Sequence, residues 1–256
     1  MKRARLNACL KGIFLFISLI MLVFHSFVFD REVQAGEKEE RFFRLRETMV
    51  KKQISDPPDY RTPVSDKRVL EAMRNVPRHL FVREKDVSRA YNDYPLSIGY
   101  GQTISQPYIV AYMTEMLQVA PQQRVLEVGT GSGYQAAILS YLVQEVYTVE
   151  IVSALARQAN DRLQHLNYRN VQVKAADGYY GWEAYAPFDR IIVTAAATLV
   201  PPPLLKQLRP GGKMCIPVGG QYAVQYLTLV EKSKQGRIKM RKVLPVRFVP
   251  LTRELR

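Results

Sequence analysis

The sequence predicts an α/β protein built on a parallel sheet wrapped by helices, and three observations predict it. Short apolar runs alternate along the chain with stretches of helical character. The first of these runs, Arg124 to Val128, ends in glycines at alternate positions, Gly129, Gly131 and Gly133, with a helix-like segment, Gln135 to Leu142, directly behind. Acids close the next two runs, at Glu150 and Asp177. In chain order, Arg41 to Ile54 and Ser65 to Asn75 read as helices, the second carrying Val69, Leu70 and Met73 at helical spacing. Ala90 to Pro107 has glycine and proline punctuation and no helical period, so it reads as a long structured loop. After the glycine turn, Glu145 to Glu150 is a second strand and Ser153 to Leu166 a helix. Asn170 to Asp177 is a third strand and Phe188 to Thr194 a fourth. Pro202 to Leu208 is a helix, and Lys213 to Val218 a fifth strand.

Glycine serves where the backbone needs φ > 0 or where a ligand must approach the main chain closely. A helix opening after such a turn presents unpaired N–H groups and the positive end of its dipole. A nucleotide-like cofactor is therefore the first expectation, with a plain tight turn as the alternative. The spacing is G-x-G-x-G, not the G-x-G-x-x-G of dinucleotide folds. Glu150, 17 residues past Gly133, would accept hydrogen bonds from both ribose hydroxyls. Taken singly, Glu150 and Asp177 also fit solvated strand ends. All three features lie at the carboxyl ends of strands, where open α/β sheets bind ligands.

In these residues the chain resembles the class I S-adenosylmethionine methyltransferases: Glu127 to Gly133 is similar to their first motif, Glu150 to the ribose-binding acid, and Asp177-Gly178 to the loop beside the adenine. The upstream loop narrows the resemblance to the protein-L-isoaspartate O-methyltransferases. It runs through Gly101-Gln102-Thr103-Ile104-Ser105-Gln106-Pro107 and Leu126 to Ala136. It continues in Pro210-Gly211-Gly212 and Pro217-Val218-Gly219, and closes in Phe248 to Thr252. Ser97 stands where that family more often has proline.

The resemblance implies a Rossmann-like fold with a mostly parallel seven-stranded sheet, helices on both faces and an antiparallel C-terminal strand. That strand would come from Tyr222 to Glu231 or from the stretch after Gly236. It implies methyl transfer from S-adenosyl-L-methionine to the free α-carboxylate of L-isoaspartyl residues in damaged proteins, leading through a succinimide back to aspartate. With a reference pKa of about 4, that carboxylate needs no strong base. Thr103, Ile104, Glu127, Gly129, Gly131, Ser132, Gly133, Glu150, Asp177, Gly178 and Thr252 would contact the cofactor. Ser105 would hydrogen-bond the reacting carboxylate or orient the loop beside the methyl group; alternatively it caps the helix starting near Pro107. Gln106, Pro107, Thr194, Ala195 and Ala196 would meet the substrate, although the last three also fit a close-packed strand end.

Other signals are weaker. Asp56-Pro57-Pro58 precedes the glycine turn and reads as a turn rather than as the D-P-P-Y motif of amino-group methyltransferases. The histidines, His25, His79 and His165, have no metal-ligand spacing, and Cys9 and Cys215 are the sole cysteines, so no metal is expected. His79 is assigned to packing, and Trp182 either covers the cofactor loop or joins the core.

Lys2, Arg3, Arg5 and Lys11 precede an uncharged run, Gly12 to Phe29, and Val33-Gln34-Ala35 resembles a small-x-small cleavage site. Residues 1–35 thus read as a signal peptide or an N-terminal anchor, 36–88 as a helical segment packed on the catalytic domain, and 89–256 as the methyltransferase domain. This places the enzyme in the periplasm or cell envelope, against a cytoplasmic habit of the family and without an evident cofactor supply there.

The net charge is +14, and the leader's five basic and two acidic residues leave +11. The basic residues are scattered, denser only from Lys232 to Lys242, which favours a solvated basic surface over a nucleic-acid site. The expected partners are isoaspartyl proteins and peptides, with no nucleic acid, membrane contact through the N-terminal segment alone, and a monomeric enzyme. The alternatives are a methyltransferase of RNA or a small molecule, and a non-catalytic envelope protein of the same fold.

Overall fold

A computed structural model describes residues 34, 36–58, 60–220 and 223–253. The expected leader, residues 1–35, lies outside them apart from residue 34. Among the described residues no helix is long and apolar enough to cross a membrane. The chain divides into two units, Met1–Leu45 and Arg46–Arg256. The described part of the first is helical and carries an exposed Arg44–Glu40 pair one turn apart.

Among its described residues the second unit holds nine strands. The segment 90–107, expected as a loop, contains a small hairpin of β1 (Leu96–Gly99) and β2 (Gln102–Ile104). Gly99, Tyr100 and Gly101 all take positive φ (95°, 52° and 72°), which reverses the chain in so few residues. A tyrosine in that region is uncommon, so composition alone gave no hairpin signal.

The main sheet contains β3 (Arg124–Val128), β4 (Glu145–Glu150), β5 (Val171–Ala175), β6 (Phe188–Val193), β7 (Leu208–Val218), β8 (Gln225–Lys232) and β9 (Ile238–Val246). Their order is β5-β4-β3-β6-β7-β8-β9. The first five run parallel, β8 is reversed against β7, and β9 pairs antiparallel with β8. Of the two candidate stretches for the reversed strand, the one beginning near Tyr222 supplies it, and the one after Gly236 returns beside it. The fifth strand begins five residues earlier than its apolar run, because Leu208 pairs with Phe188 across an irregularity that accommodates Pro210-Gly211-Gly212.

Among the described residues the second unit carries a π-helix at Val50–Ser55, at the end of the helix expected over Arg41 to Ile54, and then the α-helices α1 (Lys67–Asn75), α2 (Pro107–Leu117), α3 (Tyr134–Ser140), α4 (Ser153–His165) and α5 (Pro202–Gln207). Asp66 caps α1 by accepting from Arg68 N–H, and the helix buries Val69, Ala72 and Met73. Leu155, Ala156, Ala159 and Leu163 form the buried stripe of α4. Strand residues Leu126, Val128, Tyr147, Val149, Phe188, Ile191, Val193, Met214 and Ile216 form a core with Leu204 and Leu208. Trp182 packs edge-on against Tyr147, centroids 5.6 Å apart, and so belongs to the margin of that core.

Register positions the site. Val128 pairs with Val149 on one side and Val193 on the other. The carboxyl ends of three strands therefore align, bringing Gly129, Glu150 and Thr194 to one edge. Strand β3 is where the connections diverge to either side, the switch point at which open α/β sheets form a crevice.

Candidate active site

The glycine turn is fitted closely to its surroundings. Gly129, Gly131 and Gly133 all have positive φ, at 98°, 52° and 87°. A Cβ on Gly129 would lie 2.4 Å from Thr194 Oγ1, and one on Gly133 would lie 3.2 Å from Leu163. Thr194 Oγ1 donates to the Gly129 carbonyl at 2.7 Å, which locks the end of β6 to the turn. Glu150 is buried beneath it: Oε2 accepts from Gly131 N–H at 2.8 Å and Oε1 from Val152 N–H at 2.9 Å. One lone pair on each oxygen remains for a ligand. Ser132 Oγ accepts from Tyr134 N–H at 3.3 Å, and its carbonyl accepts from Arg162 at 2.8 Å. The helix behind the turn is only seven residues long, so the turn's own N–H groups matter more than any helix dipole.

Glu127 stands apart from the other acids among the described residues. It is fully buried, and neither carboxylate oxygen meets a hydrogen-bond donor. Burial pushes its carboxyl up to about 8; Thr148 opposes that rise and the charge of Glu150 adds to it. An orphaned acid of this kind awaits a cationic or N–H partner.

Glu127, Gly129, Gly131, Ser132 and Thr194 share one cleft with Thr103, Ile104 and Ser105 from the hairpin end. A second cavity of about 520 Å³ lies against the same wall, lined by Thr103, Ser105, Gln106 and Ile109 together with Val246, Arg247 and Phe248. Thr103 and Ser105 line both. The N-cap of α2 is Gln106 and no side chain caps that helix, which leaves the Ser105 hydroxyl to the cleft rather than to capping. Gln106 Nε2 donates to the Asp93 carbonyl at 2.9 Å, and Pro107 is buried as the first residue of α2.

Asp177, Gly178, Ala195, Ala196 and Thr252, also expected at the site, line neither of these two spaces. A Cβ on Gly178 would meet Val128 Cγ1 at 2.5 Å, so the loop after β5 packs onto β3. Asp177 caps that loop by accepting from Tyr179 N–H at 2.9 Å, and its other oxygen pairs with Arg253 at 2.9 Å. The Arg253 guanidinium lies 3.6 Å from the centroid of the Tyr179 ring. Thr252, exposed, precedes it in a tail fastened to Ala196: Ala196 N–H donates to Val249 and its carbonyl accepts from Leu251, both at 2.8 Å. Ala195 and Ala196 are buried, Ala196 against this tail, while Thr194 lines the cleft.

Three arginines escaped the sequence reading. Arg253 pairs with an acid 76 residues away, Arg247 brings a charged side chain to the wall of the outer cavity, and Arg78 is buried beneath Ser105. No spacing links any of them to a motif. His79 bonds Tyr91 OH at 2.7 Å within a buried network, in keeping with packing. No group of three metal-ligating side chains occurs among the described residues.

Residues 50–256 match the family model described as protein-L-isoaspartate(D-aspartate) O-methyltransferase. The chain is 61% identical over 187 residues to protein-L-isoaspartate O-methyltransferase 2 of Syntrophobacter fumaroxidans, covering 73% of this chain and 76% of that one. It is 48% identical over 242 residues to the like-named protein of Shewanella sediminis, covering 94% and 95%. A solved protein-L-isoaspartate O-methyltransferase superposes with a TM-score of 0.69 at 28% identity, over 82% of this chain and 65% of that chain. Another, from Plasmodium falciparum in complex with S-adenosyl-L-homocysteine, gives 0.68 at 26% identity over 82% and 97%. With its glycine turn, its buried acids and its sheet all in that company, the chain belongs to the protein-L-isoaspartate O-methyltransferases, enzymes of the S-adenosylmethionine-dependent class.

Proposed function

We propose that the inner cleft holds the methyl donor, that the outer cavity receives the isoaspartyl carboxylate of a damaged protein, and that Ser105 and Thr103 set the alignment between them. The observation that carries this reading is the double position of those two residues, which line both spaces. The chain's own groups fit S-adenosylmethionine: the two orphaned oxygens of Glu127 suit an ammonium group, and the backbone of Gly129 and Gly131 on the cleft wall suits close approach of a ligand. Glu150 would take the ribose hydroxyls on its remaining lone pairs, and the Asp177-Gly178 loop would flank the base. When bound, the cofactor supplies an electrophilic sulfonium methyl.

Everything else is positioning. The acceptor carboxylate is ionised at neutral pH, so the protein need not remove a proton. Ser105 Oγ donates a hydrogen bond to one carboxylate oxygen and leaves the other free to react. Arg247, at the wall of the outer cavity, attracts the α-carboxylate that isoaspartate leaves free. Gln106 and Thr194 border the bound segment, and few side chains are offered to it, which suits substrates of varied sequence. Holding two reactants aligned is worth up to about 7–11 kcal/mol in intramolecular models. The substrate's own backbone nitrogen then attacks the methyl ester carbonyl, the ester C–O bond breaks and methanol leaves with the amide proton, giving a succinimide with no further group required from the enzyme.

The test is Ser105→Ala. S-adenosylhomocysteine binding, measured by calorimetry, stays within the wild-type range, whereas turnover of an isoaspartyl peptide falls about 10–100-fold, the worth of one hydrogen bond to a charged group. Unchanged turnover would remove Ser105 from the mechanism.

In the same reading the enzyme works as a monomer, holds no nucleic acid, and is exported or anchored by residues 1–35. N-terminal sequencing should find Gly36 first, or an intact anchor in the membrane fraction. An intact Met1 on a cytosolic protein would contradict export.

A further inference from the structure

Arg78 lies on the short 3₁₀ helix Arg78–Phe81 with no exposed surface. Its Nε donates to the Ala90 carbonyl at 2.7 Å and its Nη2 to the Ser105 carbonyl at 2.7 Å. Those carbonyls stand at the beginning and end of the stretch that carries the β1–β2 hairpin. On its other side the guanidinium carbon sits 4.9 Å from the centroid of the Tyr134 ring, and Tyr134, itself buried, is the first residue after the glycine turn. A single cation thus touches both ends of the acceptor segment and the element that follows the donor turn.

Burying a guanidinium without a carboxylate partner is costly. Desolvation lowers the Arg78 pKa to about 10, which still leaves it charged at neutral pH, and Nη1 has no hydrogen-bond partner. An apolar side chain would fill this core at less cost. What arginine adds is a rigid planar fork able to hold two carbonyls at once, which the single ammonium of lysine does not reproduce.

We infer that Arg78 is a positioning residue, a buried clasp that closes the 90–105 segment and fixes Ser105 relative to the glycine turn. The inference rests on the reading of Ser105 as the group that meets the acceptor carboxylate. A shift of about 1 Å at such a contact lowers turnover about 10²-fold. The cofactor cleft shares Thr103, Ile104 and Ser105 with this segment, but the hydrogen bonds that hold its glycine turn, from Gly131 to Glu150 and from Thr194 to Gly129, do not involve Arg78.

The experiment compares full-length wild type, Arg78→Lys and Arg78→Ala, with the folded fraction of each measured by circular dichroism. Calorimetry gives the S-adenosylhomocysteine affinity; initial rates with an isoaspartyl peptide give kcat and KM. The expected result is a kcat about 10²-fold lower in Arg78→Ala at unchanged S-adenosylhomocysteine affinity, a smaller loss in Arg78→Lys, and partial recovery of the alanine variant by millimolar ethylguanidinium. A folded Arg78→Ala with wild-type kcat overturns the clasp. So does a loss shared equally by cofactor affinity and turnover with no recovery by ethylguanidinium. Should the alanine variant not fold, the lysine variant decides: reduced kcat at unchanged affinity supports the clasp, and wild-type kcat overturns it. A wild type that binds S-adenosylhomocysteine but leaves the peptide unmethylated would overturn the functional reading along with it.

Discussion

Replacing Glu127 by glutamine removes an ionisable proton from the core while keeping the size of the side chain. The carboxyl stands at about 8 against an ordinary 4.5, a difference of about 5 kcal/mol between its charged and neutral buried forms at 1.36 kcal/mol per tenfold. Because the folded value lies above the unfolded one, the folded protein keeps a proton that the unfolded chain has released. The resulting stability is full below pH 4.5 and is lost as pH rises through about 8. Between pH 6 and pH 8 this amounts to about 2 kcal/mol. Urea melts of the ligand-free proteins should show wild type losing that much more than Glu127→Gln over the interval.

Binding couples to the same proton. At pH 7 the free acid is about nine-tenths protonated, and a ligand ammonium placed against it would drive the proton off. Calorimetry of S-adenosylhomocysteine at pH 7 in buffers of different ionisation enthalpy should report close to one proton released by wild type and none by Glu127→Gln. The variant should also bind about 10–100-fold more weakly, as expected for a lost hydrogen bond to a charged group. Equal pH sensitivity of the two proteins, with no buffer dependence of the binding heat, would refute the assignment of Glu127 to the cofactor's amino group.

Other substitutions separate packing from binding. Gly178→Ala places a Cβ 2.5 Å from Val128 in the core; overpacking of this kind costs about 1–3 kcal/mol and should lower Tm by several degrees in a thermal melt. Arg253→Ala removes a partly exposed partner of Asp177, so Tm should move little, as for other exposed pairs. Its effect should fall on S-adenosylhomocysteine affinity by calorimetry, because Tyr179 loses the cation stacked on it. The Cys215 thiol is fully buried and its pKa is pushed up by that burial. Ellman's reagent should therefore leave it unmodified in the native protein and label it in urea.

The glycine turn, the strand-end acids and the five parallel strands were legible in the sequence because each is a local pattern: an apolar run, a glycine spacing, an acid at a fixed offset. The Thr103-Ile104-Ser105 segment was legible through its resemblance to one family. What local pattern could not carry was partnership across the chain. Glu150 was expected to face solvent or ribose, yet it also props up the turn through Gly131 and Val152. Asp177 depends on Arg253, in a tail that folds back along Ala196. Arg78 reads in sequence as one more basic residue in a basic protein, and only the fold shows it buried between two carbonyls. The hairpin was hidden for a local reason: it turns on Tyr100 at positive φ, where a residue preference offers no guide.

The most direct measurement incubates the purified protein with labelled S-adenosylmethionine and either an isoaspartyl peptide, its normal aspartyl twin, or RNA. Base-labile methyl label on the isoaspartyl peptide alone is the result predicted here. Equal labelling of the twin, labelling of RNA instead, or no incorporation into any of the three would contradict it.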